Sequence, residues 1–114
     1  TRYYAEVTGR NILYRYTLDY TDRHRSKINA IQTVEELNDF LDGDKRLVED
    51  FVAYGQSVGL KPNWREIRTS RRLLERLLRA YIARNTSLED VGYFSQIEPI
   101  DESLQRAFEV LGVE

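Results

Sequence analysis

Apolar residues recur every three or four positions along most of the chain, in runs separated by glycine, proline or capping residues. The first run, "RNILYRYTLDYTDRH" (residues 10–24), puts Ile12, Leu13, Tyr16 and Tyr20 on one side of a helix. The aromatic-rich "RYYAEV" ahead of it either extends this helix or packs as a separate turn, and "RSKINAIQ" reads as a connection. Thr33 with Glu36 three residues on has the spacing of a capping box. That box opens a helix carrying Val34, Leu37, Phe40 and Leu41, closed by Gly43. Asp44 is placed to cap the next helix, whose buried side is Leu47, Val48, Phe51, Val52 and Val58, with Gly59 as its C′ residue. Asn63 and Glu66 form a second capping box in front of "REIRTSRRLLERLLRAYIARN". Ser87 and Asp90 have N-cap spacing for a short helix through Tyr93 and Phe94. Asp101 stands ahead of a last stripe of Leu104, Ala107, Phe108 and Leu111, closed by Gly112. The pattern predicts an all-α fold of five to six helices in a compact, bundle-like arrangement, with no strand.

Composition bounds this picture. A chain of 114 residues with 41% hydrophobic and 32% charged residues suits one helical domain, residues 1–114, rather than a disordered segment. The six glycines and two prolines fall mainly at the predicted junctions. The abrupt "TRYYAEV" start fits a trimmed initiator Met as readily as a cut from a longer protein, of which residues 1–114 are expected to be a C-terminal fragment. No apolar run reaches the roughly 18 residues of a membrane span, so no membrane insertion is expected of this segment. Cysteine is absent, which excludes disulfides, thiolate metal sites and cysteine nucleophiles.

Charge changes the reading of one helix. Residues 65–85 hold seven arginines and no lysine in a chain of net charge −2. At about 100° per residue from Leu74, Ile67, Leu78 and Tyr81 lie within about 40° of it. Arg65, Arg68, Arg72, Arg76 and Arg79 fall at roughly 120° to 200°, on the opposite side. Such a stripe can be a solvated face, can pair with acids, or can bind phosphates. Residues 35–50 carry Glu35, Glu36, Asp39, Asp42, Asp44, Glu49 and Asp50, which would repel phosphates. No nucleic-acid motif accompanies the stripe, so the expected partner is protein and not nucleic acid. Tyr3 and Tyr4, taken as exposed near the N-terminus, join the arginines as a candidate partner surface, because tyrosine offers apolar area with a polar tip.

Catalytic chemistry finds little support in the residues. The single His24 lacks the second ligand that a metal site requires and reads as a surface histidine at a helix end. Nothing places a serine on a strained turn, and no glycine-rich phosphate loop is present. Ser-Lys dyads with Lys27, Lys45 or Lys61 are formally possible, without a supporting setting. The expectation is no catalytic residue, no cofactor and no metal ligand in this chain.

Four stretches resemble a known family. "ILYRYTLDYTDRHR", "LVEDFVAYGQSVGLKP", "LLRAYIARN" and "GYFSQIEPIDESLQRAFEVL" are similar to the C-terminal helical region of S41-family carboxyl-terminal processing peptidases of the Bacteroidetes type. The landmarks are Asp19-Tyr20 with Asp22 and Arg25, Asp50-Phe51 with Tyr54, and Ile82 to Asn85. Tyr93-Phe94 follow, then Asp101 through Gln105, Ala107 and Leu111, so the resemblance runs from about residue 10 to 111. Its catalytic serine and lysine sit in a protease core ahead of this region and map onto no residue here; a serine motif of TASASE type and a PDZ domain are both absent. The resemblance implies a non-catalytic domain of a serine endopeptidase, exported to the periplasm or cell envelope. It would act by packing against the protease core, by oligomerisation, or by recruiting an adaptor or substrate protein. A free-standing helical adaptor for an acidic partner is the alternative, and a nucleic-acid-binding module the weaker one.

Overall fold

The computed structural model describes residues 2–97, and all of the regular structure in them is helical. Six helices, α1 (Arg2–Gly9), α2 (Ile12–Arg23), α3 (Arg25–Asn29), α4 (Val34–Asp42), α5 (Leu47–Ser57) and α6 (Trp64–Arg84), are followed by α7 over 89–97. The class is all-α, as the periodicity predicts, but with seven helices among the described residues rather than five or six. The Asp101 cap and the stripe from Leu104 to Leu111 lie outside those residues.

Two local features account for the extra helices. The run predicted for residues 10–24 starts at Ile12 because Asn11 adopts a left-handed conformation, φ 55 and ψ 25, which separates α2 from α1. Asparagine tolerates that region better than most non-glycine residues. The supposed connection "RSKINAIQ" contains α3, held by a fully buried Ile28. One buried residue per turn leaves too faint a period to read from sequence.

Helices α2, α5 and α6 pack against one another, and α1 and α3 lie on α2. Their seam is the core: Tyr16, Tyr20, Phe51, Leu74, Leu78 and Ile82 are all buried there, joined by Leu37 and Leu41 of α4. Aromatic rings set its centre. Tyr16 meets Phe51 edge-on at 5.3 Å and Tyr54 at the same distance, while Tyr20 stands 6.3 Å from Phe40. Such tilted and T-shaped pairs are favourable beyond the area they bury.

The N-cap half of each predicted box forms, while the Glu36 carboxylate accepts from the Gln32 N–H and the Glu66 carboxylate from the Tyr3 N–H rather than from the N-cap N–H. The Thr33 hydroxyl accepts from the Glu36 N–H at 3.1 Å, and Asn63 Oδ1 accepts from the Glu66 N–H at the same distance. Replacing Thr33 by alanine orphans the Glu36 N–H and should lower stability by about 1 kcal/mol in urea unfolding. At the far end of α5, Gly59 takes φ 91, its N–H donates to the Gln56 carbonyl, and the Leu60 N–H donates to the Gly55 carbonyl at 2.8 Å. This is a Schellman ending, with the buried Leu60 side chain lying over Gly55. A Cβ on Gly59 would meet only Arg10 Nη2, at 3.9 Å, so Gly59→Ala tests backbone strain rather than space. It should lower the stability by about 1 kcal/mol, read as a lower urea midpoint at unchanged slope.

Candidate partner-binding surface

The long helix α6 carries the candidate surface, and its neighbours decide which arginines remain on it. Arg65, Arg68 and Arg72 are exposed, and none has an ion-pair partner among the described residues. They span roughly 10 Å along the helix, on the side away from the buried Ile67 and Leu74. Arg76 is half-buried.

Two residues expected on the surface are not there. Arg79 is buried, at 7% exposure, because α4 and α7 cover this end of α6. Its Nε donates to Gln96 Oε1 at 2.9 Å, Nη1 to Asp42 Oδ1 at 2.8 Å and Nη2 to Asn38 Oδ1 at 3.3 Å. Gln96, itself buried, donates from Nε2 to the same Asn38 oxygen at 2.9 Å. The guanidinium is therefore a clasp between three helices. Tyr3 is also buried, at 3% exposure, and belongs to the core cluster; Tyr4 is half-buried, its hydroxyl 3.5 Å from the Ser70 carbonyl. The reason is a pin at the start of α1, where the Tyr3 N–H donates to Glu66 Oε2 at 2.8 Å and holds α1 against α6.

The acidic segment takes part of the positive charge internally. Arg71, which the angular count leaves off the main stripe, reaches both Glu49 oxygens at 2.7 and 2.9 Å, and Arg79 takes Asp42. Arg84 lies 4.0 Å above the Tyr93 ring and 3.9 Å from Asp90, tying α7 to the end of α6. The partners of Arg71 and Arg79 lie 22 and 37 residues away, so residue spacing alone carries no signal for them.

His24 and three of the serines are held by main-chain carbonyls, whereas the buried Tyr3 hydroxyl has no hydrogen-bond partner among the described residues. His24 Nδ1 lies 2.9 Å from the Tyr20 carbonyl, an arrangement in which that nitrogen donates, and its ring stacks on Tyr20 at 4.3 Å. The hydroxyls of Ser57, Ser87 and Ser95 donate to main-chain carbonyls; Ser87 bonds Ile31 rather than capping α7 as its spacing predicts. Among the described residues no three His, Cys, Asp or Glu side chains cluster as metal ligands. No helix there is long and apolar enough to cross a membrane.

The profile of a family of unknown function, DUF8443, matches residues 3–87, well over half of the chain. The chain belongs to this family. The DUF8443 match begins in α1 and ends just after α6, so it takes in Asn38, Asp42 and Arg79 but leaves Gln96 outside. Neither a curated protein nor a solved structure matches the chain.

Four buried or half-buried tyrosines give this DUF8443 chain an alkaline limit. Burial raises the pKa of Tyr3, and burial followed by the neighbouring Tyr3 raises that of Tyr4. Burial raises Tyr16, and burial with the hydrogen bond to Asp44 at 3.0 Å raises Tyr20, all from an ordinary 10.0. Above the ordinary value the unfolded chain ionises these tyrosines while the folded chain keeps them protonated. The unfolded state then binds fewer protons, and stability falls as pH rises. Urea midpoints should begin to drop as pH rises through about 10 and keep falling above it, and Tyr20→Phe should flatten part of that slope.

Proposed function

We propose that this DUF8443 chain is the helical C-terminal domain of an S41-type carboxyl-terminal processing serine peptidase. It would lie in the periplasm or cell envelope and act by packing and recruitment rather than by chemistry of its own. The observation that carries the reading is the ordered series of landmarks shared with that region, from Asp19-Tyr20 through Asp50-Phe51 to Ile82–Asn85. Those landmarks have physical work in the fold. Tyr20, Phe51 and Tyr54 lie in or beside the aromatic centre, and Asn85 Nδ2 donates to Thr21 Oγ1 at 2.9 Å, joining the end of α6 to α2. A second reading, a free-standing adaptor for an acidic protein segment, draws on the exposed row of Arg65, Arg68 and Arg72, which suits carboxylates in bidentate geometry.

The test uses the parent polypeptide, as encoded, with tagged protein substrates. Trimming at substrate C-termini by the full chain, and none by residues 1–114 alone, is the expected result. A parent chain without a protease core or without turnover overturns the peptidase reading and leaves the adaptor. In either case Arg65→Glu, Arg68→Glu and Arg72→Glu together should weaken binding of an acidic partner about tenfold, with unchanged helicity.

A further inference from the structure

Helix α4 carries an acidic face that its own molecule leaves largely unpaired. Glu35, Asp39 and Asp42 lie four and then three residues apart, within about 60° of one another, on the side away from the buried Leu37 and Leu41. Glu35 and Asp39 are exposed, and neither has an ion-pair partner among the described residues. Asp42 receives Arg79, yet its side chain is 62% exposed, so a second guanidinium can still reach it.

The exposed row on α6 has the reverse spacing. Arg65, Arg68 and Arg72 lie three and then four residues apart. Two antiparallel helices bearing these rows set Arg65 against Asp42, Arg68 against Asp39 and Arg72 against Glu35, over roughly 10 Å. No like charges are opposed in that overlap. Within one molecule no ion pair joins the two rows among the described residues. The same chemistry is already used once, further along the arginine stripe, where Asp42 of α4 takes Arg79 of α6 at 2.8 Å.

We infer that the arginine row of one copy receives the acidic face of α4 from a second copy of this chain. The inference rests on the reading of that row as a surface for acidic protein, and it names the segment. Matched spacing fixes register and direction, which complementary charge contributes to an interface more than it contributes raw affinity. Each exposed ion pair adds roughly 1.5- to 5-fold, so three in register make a weak, salt-sensitive association. The two faces are different patches, so the contact is heterologous. Unless two copies make it reciprocally, association continues beyond a dimer.

Sedimentation equilibrium over a concentration series tests this. At about 20 mM salt the weight-average mass should rise above that of the monomer as the chain approaches millimolar concentration, and should return to it at about 0.5 M salt. Arg68→Glu with Arg72→Glu should leave a monomer, and so should Glu35→Arg with Asp39→Arg; Asp42 is kept because it holds Arg79. A chain carrying all four reversals should associate again, because the rows have exchanged sign, and circular dichroism of each variant checks that the helices are intact. A wild-type chain that stays monomeric overturns the inference. Association that survives either pair of reversals does so too, as does a natively folded chain with all four that stays monomeric. A short oligoglutamate peptide separates the two kinds of failure. A monomeric chain that binds it through the arginine row defeats self-association alone, while a monomeric chain that does not bind it also defeats the reading of the row.

Discussion

Phe51→Ala is expected to destabilise the protein by about 3–5 kcal/mol, the largest effect of any single truncation proposed for this fold. Phe51 is fully buried on α5, and its ring is the edge-on partner of Tyr16 on α2. Removing it takes away a large apolar side chain and leaves a cavity where α2, α5 and α6 meet. The surrounding rings of Tyr16, Tyr20 and Tyr54 are constrained by one another and by the Tyr20–Asp44 hydrogen bond, so collapse into the space is limited. A loss of that size is a large fraction of the stability of a domain this small. Urea unfolding followed by far-ultraviolet circular dichroism measures it. A loss below about 1 kcal/mol would show that this seam relaxes freely and that the aromatic centre is not the keystone described.

Arg79→Ala is expected to cost about 2–4 kcal/mol, through lost charge-assisted hydrogen bonds and lost packing of the buried arginine stem. The two ends of its ion pair are unequal. The Arg79 side chain is 8% exposed and that of Asp42 is 62% exposed, so the carboxylate regains water when the guanidinium is removed. The deeper penalty falls on Asn38 and Gln96, whose amides lose their shared charged donor. Asp42→Ala should be milder, about 1–2 kcal/mol, because both amide oxygens still accept from Arg79. The order of the two variants is the discriminating result: equal losses would mean that the ion pair, and not the amide network, carries the clasp. Hydrogen exchange adds a second readout, since loosening the clasp should raise exchange in α7 before α2.

The buried stripes of α2, α5 and α6 could be read directly, because helical period reports which side of a helix is apolar. The Thr33 and Asn63 caps were equally plain, since each is made within four residues. Arg79 shows where that reading stops. Its angle on α6 is that of Arg65 and Arg72, yet α4 and α7 cross over one end of that face and leave the other open. A helical wheel gives direction and carries no knowledge of what lies above it. Tyr3 fails for a related reason: its burial depends on Glu66, a partner 63 residues away.

The pin between Tyr3 and Glu66 also has a mechanical meaning. Tension applied through the backbone ahead of Tyr3 is delivered at once to the first turn of α6, the longest helix, whose own Asn63 cap shares the Glu66 carboxylate. Helix α1 therefore does not peel away as a loose strap when the chain is pulled. Load enters α6 at its first turn, so rupture there works against the packing of α6 on α2 and α5. In a stretching experiment the domain should yield in one step rather than unravel from its amino end.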